Sequence, residues 1–557
     1  MTATLDVQRQ FIQVGERRVL LRHAGSGPAV VLLHQSPESS GSLLPWFDAL
    51  ADRFAVFAPD TPGFGLSDPL AMAQPTIPEL AAALGRLLDA LGLQRVLLYG
   101  VHTGAAIAAR LAHDQPQRVA ALVCDGLSAF SAAERQPLLD GYLPPFEPHW
   151  DGTHLLWLWA RIREQTLYFP WHVGTATARL AYPLATPNAI HKSVMELLDA
   201  GDGYRAGYRA PLLYEHGAAT AGRLRVPSWL LYRRADVLRP HLDRLPPLPP
   251  DVTASEVADV AALTAATLAA FDEHADRAAR VDSAGCVQRS ASTTRRIVAT
   301  AVGELALRCE RGSGTDGVID VVLPDIGTPA ALPADAAPLA ALVTVELPGH
   351  GASARIDATA VASGAWLATL LPAIDSLHGS GRPLRLHASG ASCAFAATLA
   401  LQLGPRCAGL NLTDPLPLKA AKRERLLAGL PHWQPQASGA HLIEAWNWAR
   451  LRHLFKPWLA PTADNAVITA APPPHRVHAD TVEMLRAGPL LRPLWHAALH
   501  ADPWPALTAG TLPLQLQSSP DAHALQLAQR LSAAGGLQRG ADSPAGCARW
   551  WRPLRSA

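Results

Sequence analysis

The segment "LLYGVHTGAAIAARLA" (97–112) puts an imidazole where the chain turns from an apolar strand into a helix. Gly100, Gly104 and Ala105 are the small residues that let such a turn close around a central side chain, here His102. A turn of this kind lifts its central residue above the sheet, beside the first backbone N–H groups of the helix. Imidazole there has two chemical uses. It can act as a general base toward water, or attack directly and form a transient acyl-imidazole. Either use needs a carboxylate on the other ring nitrogen. Asp236, in "VPSWLLYRRADVLRP" (226–240), and Asp125, at the end of "VAALVCD" (119–125), are the candidates. Thr103 N–H and the His34–Gln35 loop are candidate oxyanion donors and substrate contacts. The helix N-terminus is expected to depress the pKa of His102.

The elements that must position these groups alternate. Apolar runs at 29–33, 54–58, 95–99, 119–123 and 228–232 read as buried strands, and "VTASEVA" (252–258) as the last strand. Between them lie helical patterns, such as 77–91 after the capping box Thr76-x-x-Glu79. Alternation of this kind predicts an α/β fold with a mainly parallel sheet covered by helices on both faces. Residues 127–222, rich in Trp, Pro and His, interrupt it and read as an inserted helical cap. His154 and Trp171 are its candidate substrate contacts, with Arg161 nearby; such a lining suits an aromatic or carboxylate-bearing molecule.

The chain repeats this organisation once. "VGERRVLLRHAGSG" (14–27) matches "VGELALRCERGSG" (302–314), and "DTPGFGLSD" (60–68) matches "ELPGHGASA" (346–354). "WLWARIR" (157–163) matches "WNWARLR" (446–452). On these matches His154, Arg161, Arg163, Trp171 and His191 face His441, Arg450, Arg452, Trp458 and His478. The shared order predicts two tandem domains: 1–276 with its cap at about 127–222, a small polar linker at 277–293, and 294–557 with a cap at about 415–510. In the second copy Gly390 stands at the place of His102, and Asp325, Ile326 and Gly327 near that of His34 and Gln35. Asp521 lies near the place of Asp236, and "GADSPAG" (540–546) offers no histidine. Ser389 and Ser392 flank the turn without occupying its apex, so the second copy is expected to be non-catalytic and to serve as a built-in pseudo-dimer partner.

Composition excludes several classes. Of 557 residues 49% are hydrophobic and 17% charged, with a net charge of +1 and only four lysines. No basic run points to nucleic acid or a membrane surface, and no apolar stretch approaches the roughly 20 residues of a membrane span. Six scattered cysteines without C-x-x-C, and the absence of H-E-x-x-H, give no metal site and no cofactor. A cytoplasmic protein with a small-molecule substrate, possibly a homo-oligomer, is the expectation.

The order of "VVLLHQSPESS" (30–40), "FAPDTPGFGLSD" (57–68), "LLYGVHTGA" (97–105) and "VPSWLLYRRADVLRP" resembles the α/β-hydrolase superfamily, in both copies. The resemblance implies that the first segment supplies part of an oxyanion hole, the third a nucleophile turn, and the fourth the acid of a triad at Asp236. Asp125 is an alternative acid position in some members. Two departures stand out. His102 replaces the family's Ser, Asp or Cys, and the position after the last strand holds Asp259 and Val260, with His274 at the far end of the next helix. One change of mechanism accounts for both: a His–Asp pair in place of a triad. The implied activity is hydrolysis of a small ester, thioester or related carbonyl substrate. The alternatives are a lyase or isomerase that shuttles a proton on His102, and a dead ligand-binding scaffold.

Overall fold

The computed structural model describes residues 6–214, 217–311, 317–330, 341–431, 433–455, 458, 461–468, 470–509, 512–518, 527, 529, 538–539 and 548–552. Asp521 and 540–546 lie outside the described residues. Two compact units are present: residues 1–147 with 157–292, and residues 148–156 with 293–557.

The sheet of the first unit grows from its apolar runs. Its strands are β1 (Gln8–Val14), β2 (Arg17–Ala24), β3 (Ser26–Leu33), β4 (Ala55–Pro59), β5 (Val96–Val101), β6 (Val119–Asp125), β7 (Ser228–Arg233) and β8 (Val252–Val257). They lie in the order β1-β2-β4-β3-β5-β6-β7-β8. β2 runs antiparallel to β1 and β4, and β4 through β8 are mutually parallel. Every residue of β4, β5 and β6 is buried, which is why these strands read as continuous apolar runs. Successive side chains still divide between the two faces. Val31, Leu33 and Leu98 join the core beneath α2 (Ile77–Leu91) and α3 (Thr103–Asp114); Val30, Leu32, Leu97 and Tyr99 join the one beneath α1 (Leu44–Leu50) and α9 (Val260–His274). The capping box Thr76–Glu79 opens α2 as expected, with Thr76 N–H 2.6 Å from the Glu79 carboxylate. Between β6 and β7 the chain forms α4 (Ala132–Gly141), α5 (Thr153–Gln165), α6 (Pro187–Ala200), α7 (Tyr204–Leu213) and α8 (Gly217–Ala221).

The segment 277–293 differs from the expected linker. Residues Arg280–Asp282 form β9, antiparallel to the start of β3, and Asp282 caps α10 (Ser283–Ser290), whose Cys286 and Val287 enter the first unit's core. Its small polar residues are those of a tight N-cap and a short helix, which composition does not separate from a linker. The β1–β2 hairpin lies outside the expected strands, because its glutamines and arginines interrupt the apolar run that marks a buried strand.

The second unit repeats the strand order with β10 (Arg295–Thr300), β11 (Gly303–Arg311), β12 (Ile319–Leu323), β13 (Ala341–Glu346), β14 (Leu384–Ser389), β15 (Cys407–Thr413), β16 (Leu514–Ser518), β17 (Gln538–Arg539) and β18 (Ala548–Arg552). Their order is β10-β11-β13-β12-β14-β15-β16-β18-β17. The match with the first sheet extends through seven strands. At the eighth, the parallel β8 gives way to an antiparallel β18.

A charge at position 287 tests whether α10 belongs to the core. Val287→Asp is expected to lower the stability of the full chain by about 3 kcal/mol, read as a reduced thermal midpoint, because a buried carboxylate gains no partner there. A linker residue would tolerate the change without a shift.

Candidate active site

His102 is held by the turn between β5 and α3. Its backbone has φ 48° and ψ −105°, a region that non-glycine residues adopt only under strain. Close packing maintains the turn. A Cβ on Gly104 would lie 2.3 Å from Leu33 O, and one on Gly100 would lie 2.3 Å from Gly104 O. His102 N–H donates to the backbone oxygen of Asp125 at 2.9 Å, locking the turn to the end of β6.

The imidazole Nε2 lies 3.0 Å from each oxygen of Asp236. With Nε2–H donating to that carboxylate, Nδ1 carries the lone pair, and the side chain remains 22% exposed. Asp236 also accepts Leu238 N–H at 2.8 Å and Arg233 Nη2–H at 2.6 Å. The same guanidinium donates through Nε to Asp125 at 3.1 Å, and Tyr99 O–H donates to the other Asp125 oxygen at 3.1 Å. Asp125 therefore is not the ring's partner: its carboxylate is committed to Arg233 and Tyr99, and it holds His102 through the main chain.

Two carboxylates and one guanidinium leave the buried cluster with one excess negative charge when the ring is uncharged. Burial alone would lower the His102 pKa, but the charge and hydrogen bond of Asp236, with help from Asp125, outweigh it and raise the pKa above 6.5. This reverses the depression expected from the helix N-terminus: a full carboxylate charge in direct contact outweighs partial backbone charges. Burial likewise would raise Asp236, yet His102, Arg233 and Leu238 N–H hold it at about 2. Burial does prevail at Asp125, whose pKa is raised. The raised His102 value means that the charged pair stabilises the fold below pH 6.5, and that this contribution is lost as pH rises through the folded-state pKa.

Arg233 and Gly126 were missed by sequence reasoning. Arg233 and Arg234 are adjacent arginines that strand alternation sends to opposite sides; Arg234 pairs with Glu256 at 2.8 Å. Gly126 (φ +73°) underlies the imidazole, and a Cβ there would lie 2.8 Å from His102 Cδ2. By strand register its counterpart is Asp414, beside a turn whose apex is Gly390 and carries no side chain.

The remaining expected residues divide. Thr103 is the first residue of α3, where a backbone N–H has no intrahelical acceptor. His34 is a loop strut: Nε2 accepts Thr61 N–H at 2.8 Å and Nδ1 donates to Gln35 O at 2.9 Å, so the ring has no nitrogen left for substrate. Gln35 sends its amide to Glu38 at 2.9 Å. His154 belongs to the second unit, where Nδ1 accepts His149 N–H at 3.1 Å and Nε2 lies 3.0 Å from His478 Nδ1. Trp171 is tied within the cap, its Nε1–H donating to Tyr142 O at 3.0 Å. Among the described residues no group of three or more His, Cys, Asp or Glu is placed to hold a metal ion, and no helix is long and apolar enough to cross a membrane.

The corresponding turn of the second unit is filled from within. Asp325 Oδ1 accepts Ala391 N–H and Ile326 N–H, both at 2.9 Å, and Oδ2 pairs with Arg452. A Cβ on Gly390 would lie 2.4 Å from either oxygen of that carboxylate.

Residues 28–162 match the family model described as alpha/beta hydrolase fold. An uncharacterized hydrolase of Saccharomyces cerevisiae is 30% identical over 135 residues, 24% of this chain and 45% of the relative. A 2-hydroxy-6-oxo-6-phenylhexa-2,4-dienoate hydrolase of Burkholderia cepacia is 28% identical over 138 residues, 23% of this chain and 48% of the relative. The chain thus spans less than half the length of these relatives. An epoxide hydrolase structure from Vigna radiata aligns with a TM-score of 0.37 and 22% identity, over 48% of this chain and 97% of that one.

Two measurements test the cluster. An NMR titration should place the His102 midpoint above 6.5 in the unmodified protein. Asp236→Asn should bring it below that value, because burial and Arg233 then oppose the charged ring. A midpoint unchanged by Asp236→Asn would contradict the assignment. Gly126→Ala should cost about 1–2 kcal/mol in chemical denaturation and move the His102 ring resonances, since the new methyl group occupies the ring's space and its φ is positive.

Proposed function

Since the chain carries the α/β-hydrolase fold, we propose that its first half is a hydrolase in which His102 and Asp236 replace a triad. One observation carries this reading: His102 Nε2 sits 3.0 Å from both Asp236 oxygens, which directs the basic Nδ1 away from its orienting partner. Nδ1 takes a proton from water, and the resulting hydroxide attacks the carbonyl carbon of a small ester or thioester. Asp236 orients the ring and stabilises the imidazolium that forms; the ring then delivers its proton to the leaving group. Thr103 N–H and a loop N–H near Gln35 receive the oxyanion. The second unit supports this, because Ala391 N–H and Ile326 N–H at the corresponding turn together hold a carboxylate oxygen.

The same contact favours a second reading. A carboxylate cluster that stabilises imidazolium lets the ring both give and take a proton, which suits a lyase or isomerase. The second half is proposed to be a non-catalytic copy arising by tandem duplication, its turn occupied by Asp325 and Arg452.

Turnover on a panel of aryl esters and thioesters tests the proposal. His102→Ala and Asp236→Asn should each lower kcat/KM by about 10²–10⁴-fold, while Asp325→Asn in the second unit should leave it unchanged. Activity should rise with pH through the His102 pKa, since the neutral ring is the base. In H₂¹⁸O a hydrolase places the label in the acid product, whereas an isomerase incorporates none. Turnover that survives His102→Ala would overturn the dyad.

A further inference from the structure

The cap contains a buried cation that makes no salt bridge among the described residues. Arg161, on α5, is 1% exposed. Its guanidinium carbon lies 5.2 Å from the ring centre of Tyr204, 5.4 Å from that of Trp171 and 5.9 Å from that of Tyr142. Nη1 donates to the uncharged Gln165 Oε1 at 3.1 Å. Nε and Nη2 are buried and, among the described residues, no acceptor meets them in good hydrogen-bond geometry, the Tyr204 hydroxyl being the nearby oxygen that interacts with the group. These two atoms form one edge of the guanidinium plane, the edge whose parallel N–H groups match the two oxygens of a carboxylate.

Aromatic faces account for the flat sides of the group, and the neutral Tyr204 hydroxyl offers it no counter-charge. A buried guanidinium with an open edge is costly, because both its charge and its donors have left water. Packing does not require it either. The second unit has an equivalent helix, Ala440–Leu454, whose register is fixed at its start. His441 Nδ1 accepts the N–H five residues earlier, from Gln436, as His154 does from His149. Trp159 and Trp446, each five residues later, are both fully buried. That register sets Arg161 against Trp448 and Arg163 against Arg450, two residues away from the motif match "WLWARIR"/"WNWARLR". Trp448 fills the place with an indole, its ring centre 4.7 Å from that of Trp458, the counterpart of Trp171. An apolar side chain therefore closes this type of aromatic cage, and the cation is particular to the first half.

The cage also connects to the active-site loops. Helix α7 contributes Tyr204 to it, and the same helix presses Gly207 against Phe64, where a Cβ would lie 2.0 Å from the ring. The Phe64 ring is in turn 6.1 Å from that of His34.

We propose that Arg161 is a substrate-anchoring residue whose Nε and Nη2 bind the carboxylate of an aromatic or apolar carboxylic acid, within a cage of Tyr142, Trp171 and Tyr204. The anchor narrows the hydrolase reading, on which its role as a substrate site rests, to substrates that bear a free carboxylate remote from the bond broken. Binding is measured apart from turnover, on the full chain carrying His102→Ala, by calorimetry with benzoate and with uncharged benzamide. Benzoate should bind and benzamide should not, and Arg161→Lys, which keeps the charge but loses the fork, should weaken benzoate by about tenfold or more. Arg161→Met should abolish benzoate binding and raise the thermal midpoint, because it removes an unsatisfied buried charge. Equal affinity for benzoate and benzamide, or benzoate binding unaffected by Arg161→Lys, would overturn the anchor; so would a lowered midpoint or a failure to fold in Arg161→Met. If benzoate binds through Arg161 but no ester or thioester is turned over, the anchor stands and the hydrolase reading falls.

Discussion

The buried cluster of Asp125, Arg233, Asp236 and His102 is the constraint around which the first half is built. Two carboxylates held this close in a water-poor site repel each other, and each loses hydration worth several kcal/mol. Arg233 spans them, with Nε on Asp125 and Nη2 on Asp236. His102 Nε2 then meets both oxygens of Asp236, sharing one with Arg233 and the other with Leu238 N–H. None of these groups is stable alone: removing the guanidinium leaves two anions facing one ring, and removing Asp236 leaves Arg233 and His102 without their shared partner. The sheet supplies the alignment, since Val101 pairs with Asp125 and Asp125 with Leu231. A slip of one residue in either pairing would turn a charged side chain into the apolar face beneath.

The two halves show what this arrangement demands of its neighbours. In the first, an imidazole occupies the positive-φ apex, and the residue after β6 is glycine, which leaves room for the ring. In the second, the apex is Gly390, the residue after β15 is Asp414, and Asp325 lies across the turn. The loop struts are exchanged in the same way. His34 reaches from the loop after β3 to Thr61 N–H, whereas His350 reaches from the loop after β13 to Gly327 N–H. Either direction closes the gap between neighbouring strand-end loops. Both histidines therefore belong to the frame, and neither is spare for chemistry.

The parallel strands β3 to β7 were legible because full burial on both faces forces unbroken apolar runs. The pairing of His102 with Asp236 was legible as one of two options, because Asp125 and Asp236 both end strands that flank β5. What decided between them was Arg233, and a single arginine beside another carries no mark of its direction until the strand's pleat is known. Similarity of letters misled in α5. The repeated Ala-Arg-x-Arg aligns by identity, yet a helix is registered by its anchored end and its buried face, and those place Trp448, not Arg450, opposite Arg161.

Charge gives the proposed anchor its direction. The ends of the central strands are rich in carboxylates: Asp125 and Asp236 at the cluster, with Glu38, Asp60 and Glu196 beside the loop after β3. Burial and the nearby Glu38 raise Glu196 to about 8, so a further negative charge is disfavoured at that position. On the proposed reading, an anionic substrate would be disfavoured with its carboxylate toward His102 and favoured with that group in the cap, at Arg161. Under that proposal, opposite signs at the two places would orient the molecule before any contact at the reacting bond is made. The proposed dyad would then need to recognise only a polarised carbonyl, and selectivity for the rest of the substrate would lie with a residue that takes no part in proton transfer.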